Sequence, residues 1–75
     1  MNMEALITAI KIAGGQSALA RAIGKSQGHI SVWLKRRYIP AEMVLPIERA
    51  TGVSRHLLRP DIYPLDAAPS PEAAA

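Results

Sequence analysis

Gln16-Ser17-Ala18-Leu19-Ala20-Arg21-Ala22-Ile23-Gly24-Lys25-Ser26-Gln27-Gly28-His29-Ile30-Ser31-Val32-Trp33-Leu34-Lys35 is the stretch whose reading decides the fold. Leu19, Ala20 and Ile23 fall on one face of a short helix running from about Gln16 to Ile23, and Gly24 closes it in the left-handed conformation that glycine adopts at no steric cost. Ser26 is a good N-cap for the next helix, its hydroxyl able to accept from a backbone amide two or three residues on. Ile30, Trp33 and Leu34 form that helix's inward stripe at i, i+3 and i+4. Two helices that meet at a wide angle need a small residue at their approach, which Ala20 supplies, and Ile30 plugs the angle from the other side. The spacing predicts a helix-turn-helix pair, whose second helix suits the major groove of B-DNA.

Charge points the same way. Between Ala5 and Ala41 the chain has no acidic residue, yet it carries Lys11, Arg21, Lys25, Lys35, Arg36 and Arg37. Residues 60–75 reverse the pattern, with Asp61, Asp66 and Glu72 and no cation. A basic body with a mildly acidic tail implies a polyanion as partner for the body.

At about 100° per residue, turning Ile30, Trp33 and Leu34 inward leaves Gly28 and Val32 pointing most directly outward, with His29 and Arg36 on one flank and Ser31 and Lys35 on the other. Recognition helices touch bases with their N-terminal half, so Gln27, Gly28, His29 and Val32 are the candidate base readers. A glutamine amide pairs with an adenine edge, an exposed valine packs on a thymine methyl, and Gly28 lets the backbone approach the groove floor. The bland readings are a loose helix start at Gly28, a solvated His29 and a lone surface Val32. Candidate phosphate contacts are Gln16 and Ser17 at the start of the first helix of the pair, Lys25 in the turn, and Ser31, Lys35, Arg36 and Arg37 on and after the second. A metal site at His29 is not expected, because no second ligand stands at ligand spacing and His56 lies far along the chain.

Outward from this pair, Met3, Leu6, Ile7, Ile10 and Ala13 recur at spacings of three and four and predict a first helix ended by Gly14-Gly15. Pro40-Ala41-Glu42 opens a fourth helix that runs to about Thr51 and stops at Gly52; Pro46 inside it predicts a kink or a break. Ser54 caps one further turn from Arg55 to Arg59, ended by Pro60. The expectation is one domain over residues 1–65 and a disordered tail over 66–75, where two prolines and small residues have little to bury.

Apolar residues make up 49% of the 75, with no Phe and aromatics at Trp33, Tyr38 and Tyr63. That favours a compact all-α domain over a sandwich or barrel. A chain this short buries only about 60–65% of its unfolded surface, so self-association would help it. There is no cysteine, hence neither a disulfide nor a thiolate metal site. The N-terminus lacks a signal-peptide pattern, and no apolar run approaches the roughly 18 residues that span a membrane, so the cytoplasm is the expected location. No carboxylate pair, nucleophile–base set or phosphate loop is present; neither an enzyme nor a cofactor is expected.

With those residues in hand, the sequence resembles the lambda-repressor-like helix-turn-helix proteins, and among them the Cro and YdaS-type antitoxin group often encoded by prophages. The resemblance rests on Ile12-Ala13-Gly14-Gly15-Gln16-Ser17-Ala18-Leu19-Ala20-Arg21, Gly24-Lys25-Ser26, Ile30-Ser31-Val32-Trp33-Leu34, Ile39-Pro40-Ala41-Glu42, Ile47-Glu48-Arg49-Ala50-Thr51-Gly52 and Leu58-Arg59-Pro60-Asp61. It implies a four- or five-helix domain, a transcriptional repressor role and a homodimer on a palindromic double-stranded operator. It also implies that Gln16 contacts phosphate and that Gln27, Gly28, His29 and Val32 form the reading face. Leu57, Leu58, Ile62 and Tyr63 are apolar residues left over from the other stripes; they serve either a dimer interface or core closure. The alternative function is an antitoxin-type module that binds a toxin or another regulator through residues 60–75.

Overall fold

Three successive helices end with the same backbone device, and it spaces the elements that carry the candidate site. In the computed structural model, which describes residues 3–64, α1 spans Glu4–Ala13, α2 Gln16–Ile23, α3 Gln27–Arg36, α4 Ala41–Thr51 and α5 Arg55–Leu58. At the end of α1 the N–H of Gly15 bonds Ile10 O at 2.8 Å and that of Gly14 bonds Lys11 O at 3.2 Å. At the end of α2 the N–H of Lys25 bonds Ala20 O at 2.8 Å and that of Gly24 bonds Arg21 O at 3.3 Å. After α3 the N–H of Tyr38 reaches Trp33 O at 3.1 Å and that of Arg37 reaches Leu34 O at 3.4 Å. These paired bonds satisfy carbonyls that a helix end otherwise leaves bare, and they require one residue in the left-handed region. Gly24 fills that role with φ 76°, whereas after α3 the residue is Arg37 at φ 55°.

The architecture is all-helical, with no strand among the described residues. α2 is its hub, packing on α1, α3 and α4, while α5 closes against α1 and α4. Leu6, Leu19, Ile30, Ile39, Val44, Ile47 and Leu58 are fully enclosed. Each such aliphatic side chain contributes about 1.5–3 kcal/mol on leaving water, which is what holds helices of eight to eleven residues that would be marginal alone. Ala20 is buried at the approach of α2 to its neighbours, and Ile30 and Trp33 are buried on α3, as their spacing requires.

One expectation is corrected and two left open are narrowed. Ile7, placed in the α1 stripe, is 43% exposed, while Ala9 is fully buried. α1 meets α2, α4 and α5 together, and the face turned to them is centred on Leu6, where a small residue at Ala9 lets the helices come close. Pro46 does not break α4, which continues through it to Thr51. Pro46 is the sixth of the eleven residues of α4, and the bond it cannot make falls on the carbonyl of exposed Glu42, which water can serve. Val44 and Ile47, both fully buried, hold the helix on either side of it. Leu58, a candidate for the dimer interface, is 0% exposed and belongs to the core. The tail expected over 66–75 lies outside the described residues.

Candidate nucleic-acid interface

α2 and α3 are joined by the three residues 24–26, and this turn brings together side chains eleven positions apart. Gln27 Nε2 donates to Gln16 Oε1 at 2.7 Å, so the first side chain of α3 is tied to the first side chain of α2. Sequence reasoning assigned the two glutamines separate roles and did not pair them. The turn geometry that joins them is set by the backbone bonds around Gly24.

Ser26 caps α3, and His29 completes a capping box with it. His29 Nδ1 accepts the backbone N–H of Ser26 at 3.2 Å and lies 2.8 Å from Ser26 Oγ. The signal was present as a serine followed three residues later by a polar side chain, but the usual partner at that place is Glu or Gln. The His29 and Trp33 rings lie 6.5 Å apart at a tilt of 45°.

Gln27, Gly28, His29 and Val32 are all exposed; Gly28 and Val32 face away from buried Ile30 and Trp33, His29 lies on the flank beside Trp33, and Gln27 sits in the first turn. Val32 is 45% exposed, a large apolar side chain left in water on a polar face. A Cβ built at Gly28 would meet nothing closer than Ser26 Oγ at 3.7 Å, an ordinary contact. The fold therefore does not require glycine there.

The cations frame this face from both ends. Lys25 is half-buried in the turn, and Lys35, Arg36 and Arg37 are exposed at the far end of α3. Ser17 is exposed at the start of α2, while Gln16 and Ser31 are half-buried. The two ion pairs found among the described residues, Arg55–Glu48 and Arg59–Asp61, involve none of these cations.

Behind the basic end of α3 lies a cluster that sequence reasoning missed. Arg59 is 7% exposed; its Nη1 donates to Ile39 O, and its Nε and Nη2 donate to the two carboxylate oxygens of Asp61 at 2.9 and 2.6 Å. Its guanidinium sits 5.0 Å from the centroid of the Tyr38 ring. The hydrogen bond to Asp61 raises the pKa of Arg59 above its ordinary value and outweighs the opposing effect of burial. The same bond from Arg59 lowers Asp61 to about 2, against burial that works the other way. Arg59 thus anchors the connection leaving α3 to the segment after α5. The Arg59–Asp61 spacing of two was visible in the sequence, but the bond to Ile39, twenty residues away, was not.

At the other proposed surface, Leu57 is 62% and Ile62 41% exposed, and both are free to meet a partner. Tyr63 is half-buried against the core, and its carbonyl is bonded to His56 Nδ1 at 2.8 Å. A shallow cavity of about 350 Å³ between α1 and α5 is lined by Glu4, Ala5, Thr8, His56, Leu57 and Pro60. No helix among the described residues is long and apolar enough to cross a membrane.

These features define a small all-helical protein built around a helix, a tight turn and a second helix with a basic, acid-free surround. The chain belongs to the family described as "Bacterial toxin YdaS", whose model matches residues 6–66. It is similar to a protein of Escherichia coli (strain K12) named "Putative transcriptional regulator YdaS", with 47% identity over 57 residues, 72% of this chain and 58% of the relative. The matched segment thus spans less than two thirds of that relative's length. No solved structure matches the chain.

Proposed function

We propose that this protein is a sequence-specific double-stranded-DNA-binding transcriptional regulator, a Cro-like repressor of phage or prophage origin, that reads the major groove with α3 in the cytoplasm. One observation carries the reading. Gln27, fixed by Gln16 at 2.7 Å, opens an exposed face of Gly28, His29 and Val32 flanked by Lys25, Lys35, Arg36 and Arg37. Fixing a reading amide before binding removes part of the ordering cost that a free glutamine side chain would bear on the groove floor. In this reading Gln16, Ser17, Lys25, Ser31, Lys35, Arg36 and Arg37 take phosphates, and Gln27, Gly28, His29 and Val32 meet base edges. The relative's description as a transcriptional regulator supports the regulatory half of the proposal.

Two copies bind inverted half-sites, with Leu57 and Ile62 the apolar side chains available for contact between them. Selection from a random duplex library at physiological salt tests this. Enrichment of inverted half-sites with centres about one helical turn apart supports a dimeric regulator. Weak, salt-sensitive binding without enrichment refutes sequence-specific reading. It would favour the alternative, an antitoxin-type module that holds a toxin or another regulator through residues 60–75, of which 65–75 lie outside the described residues. Within the DNA reading, Gln27→Ala relaxes sequence preference with little effect on non-specific binding. Neutralising Arg36 and Arg37 together weakens binding to every sequence and flattens the salt dependence by about one unit per lost phosphate contact.

A further inference from the structure

His29 differs from the other exposed residues of α3 because the fold dictates which of its ring nitrogens carries the proton. A backbone N–H can only donate, and that of Ser26 meets His29 Nδ1 at 3.2 Å. Nδ1 must therefore present its lone pair, and the Ser26 hydroxyl 2.8 Å away is oriented to donate to it as well. In the neutral ring the proton then resides on Nε2. The two nitrogens lie on opposite flanks of an imidazole, so turning Nδ1 back to the helix start directs Nε2–H away from it, into the solvent that surrounds this exposed side chain. Among the described residues no hydrogen bond is made at Nε2.

We infer that His29 is a specificity-determining donor, whose Nε2–H reads an acceptor edge in the major groove, with guanine as the base selected. This rests on the DNA-reading role proposed above. In the major groove guanine presents N7 and O6 side by side, both acceptors; adenine sets an amino donor beside its N7, thymine a methyl beside its O4, and cytosine presents only an amino donor. A donor locked by the capping box gains nothing from a cytosine edge and leaves that amino group unpaired. Rotation of the ring, which would let an ordinary histidine change roles, costs the capping box at the start of α3. The same contact that starts the helix thus fixes the hydrogen-bonding sense of the reading side chain.

Two substitutions separate the donor from the cap. His29→Gln keeps an acceptor for the Ser26 N–H and still offers an amide donor outward. His29→Glu keeps the acceptor, as in the common capping box, and offers no donor. Wild type and both variants are put through selection from a random duplex library, with thermal unfolding of each recorded alongside. All three unfold at similar temperatures. Wild type enriches guanine at one position of each half-site, and His29→Gln retains a purine there. His29→Glu loses the guanine preference by about tenfold or turns it to cytosine, whose amino group a carboxylate accepts. Unchanged guanine enrichment by His29→Glu would overturn the inference and leave His29 as a cap alone. Loss of the preference in both variants would overturn it too, since a donor would then not suffice. If wild type enriches no site at all, the DNA-reading proposal itself fails, an outcome distinct from either.

Discussion

Replacing Arg59 by methionine removes the one charged side chain buried among the described residues, and its cost can be worked from its contacts. Methionine keeps much of the length and apolar volume, so the loss is polar. The carbonyl of Ile39, a residue with no exposed surface, loses the donor that Arg59 supplies. A bond from a charged donor contributes about 1.5–3 kcal/mol, and stranding a buried acceptor costs about 1–3 kcal/mol, two views of largely the same loss. The stacking on Tyr38, whose ring is about half exposed, adds about 0.5–1 kcal/mol. Asp61, with a side chain 54% exposed, returns to water. The sum is a destabilisation of about 2–4 kcal/mol, a large share of the roughly 4–11 kcal/mol available to a domain of this length. Each kcal/mol moves Tm by about 4–8 °C at this size, so Tm falls by about 8–32 °C. Urea and thermal unfolding followed by circular dichroism measure it, with unchanged m-value as the check that the transition is still the same one. A loss below about 1 kcal/mol would refute the reasoning, because it would mean that water serves Ile39 O and that Arg59 anchors nothing.

Three further substitutions probe the ends and the face of α3 and the acid behind it. Asp61→Asn removes a group that titrates near 2 in the folded chain against an ordinary 3.8, so the wild type's stability from this carboxylate is complete above about pH 4 and is lost as pH falls toward 2; acid titration of the two proteins should differ in that window and run parallel below it. Arg37→Gly places glycine where α1 and α2 already use it, and stability should rise by up to about 1 kcal/mol while the salt dependence of DNA binding flattens by about one unit; a rise in stability with unchanged binding would remove Arg37 from the phosphate contacts. Gly28→Ala meets no steric obstacle and should stabilise α3 by about 0.5–1 kcal/mol; operator affinity should nevertheless fall if the backbone approaches the groove floor, and equal affinity would show that it does not.

The elements themselves were legible in the chain. Periodicity and the cap residues Gly14, Ser26, Gly24, Gly52 and Ser54 act locally, through bonds within a few residues, so their signals survive without knowledge of the rest of the fold. That is why α2 runs from Gln16 to Ile23 and α3 opens after Ser26, as the spacing predicts. Which residues form the outward face of α3 was equally open to reading, because buried Ile30 and Trp33 fix the rotation of the helix. Ile7 and Pro46 mark where local signals were insufficient. Rotating α1 to bury Ala9 in place of Ile7 depends on three neighbouring helices at once, and α4 tolerates Pro46 because Val44 and Ile47 are enclosed by the same packing.

The amino-acid sequence alone determined an all-helical chain with a basic, acid-free middle, since helix periods, caps and charges are properties of short segments. Tertiary structure decided the pairings. Gln16 meets Gln27 across a turn, Arg59 reaches Ile39 twenty residues away, and Leu58 turns into the core while Leu57 beside it stays in water. Each of these depends on where whole helices come to rest, and many helices packed together settle that through the burial of area, a quantity no short segment carries.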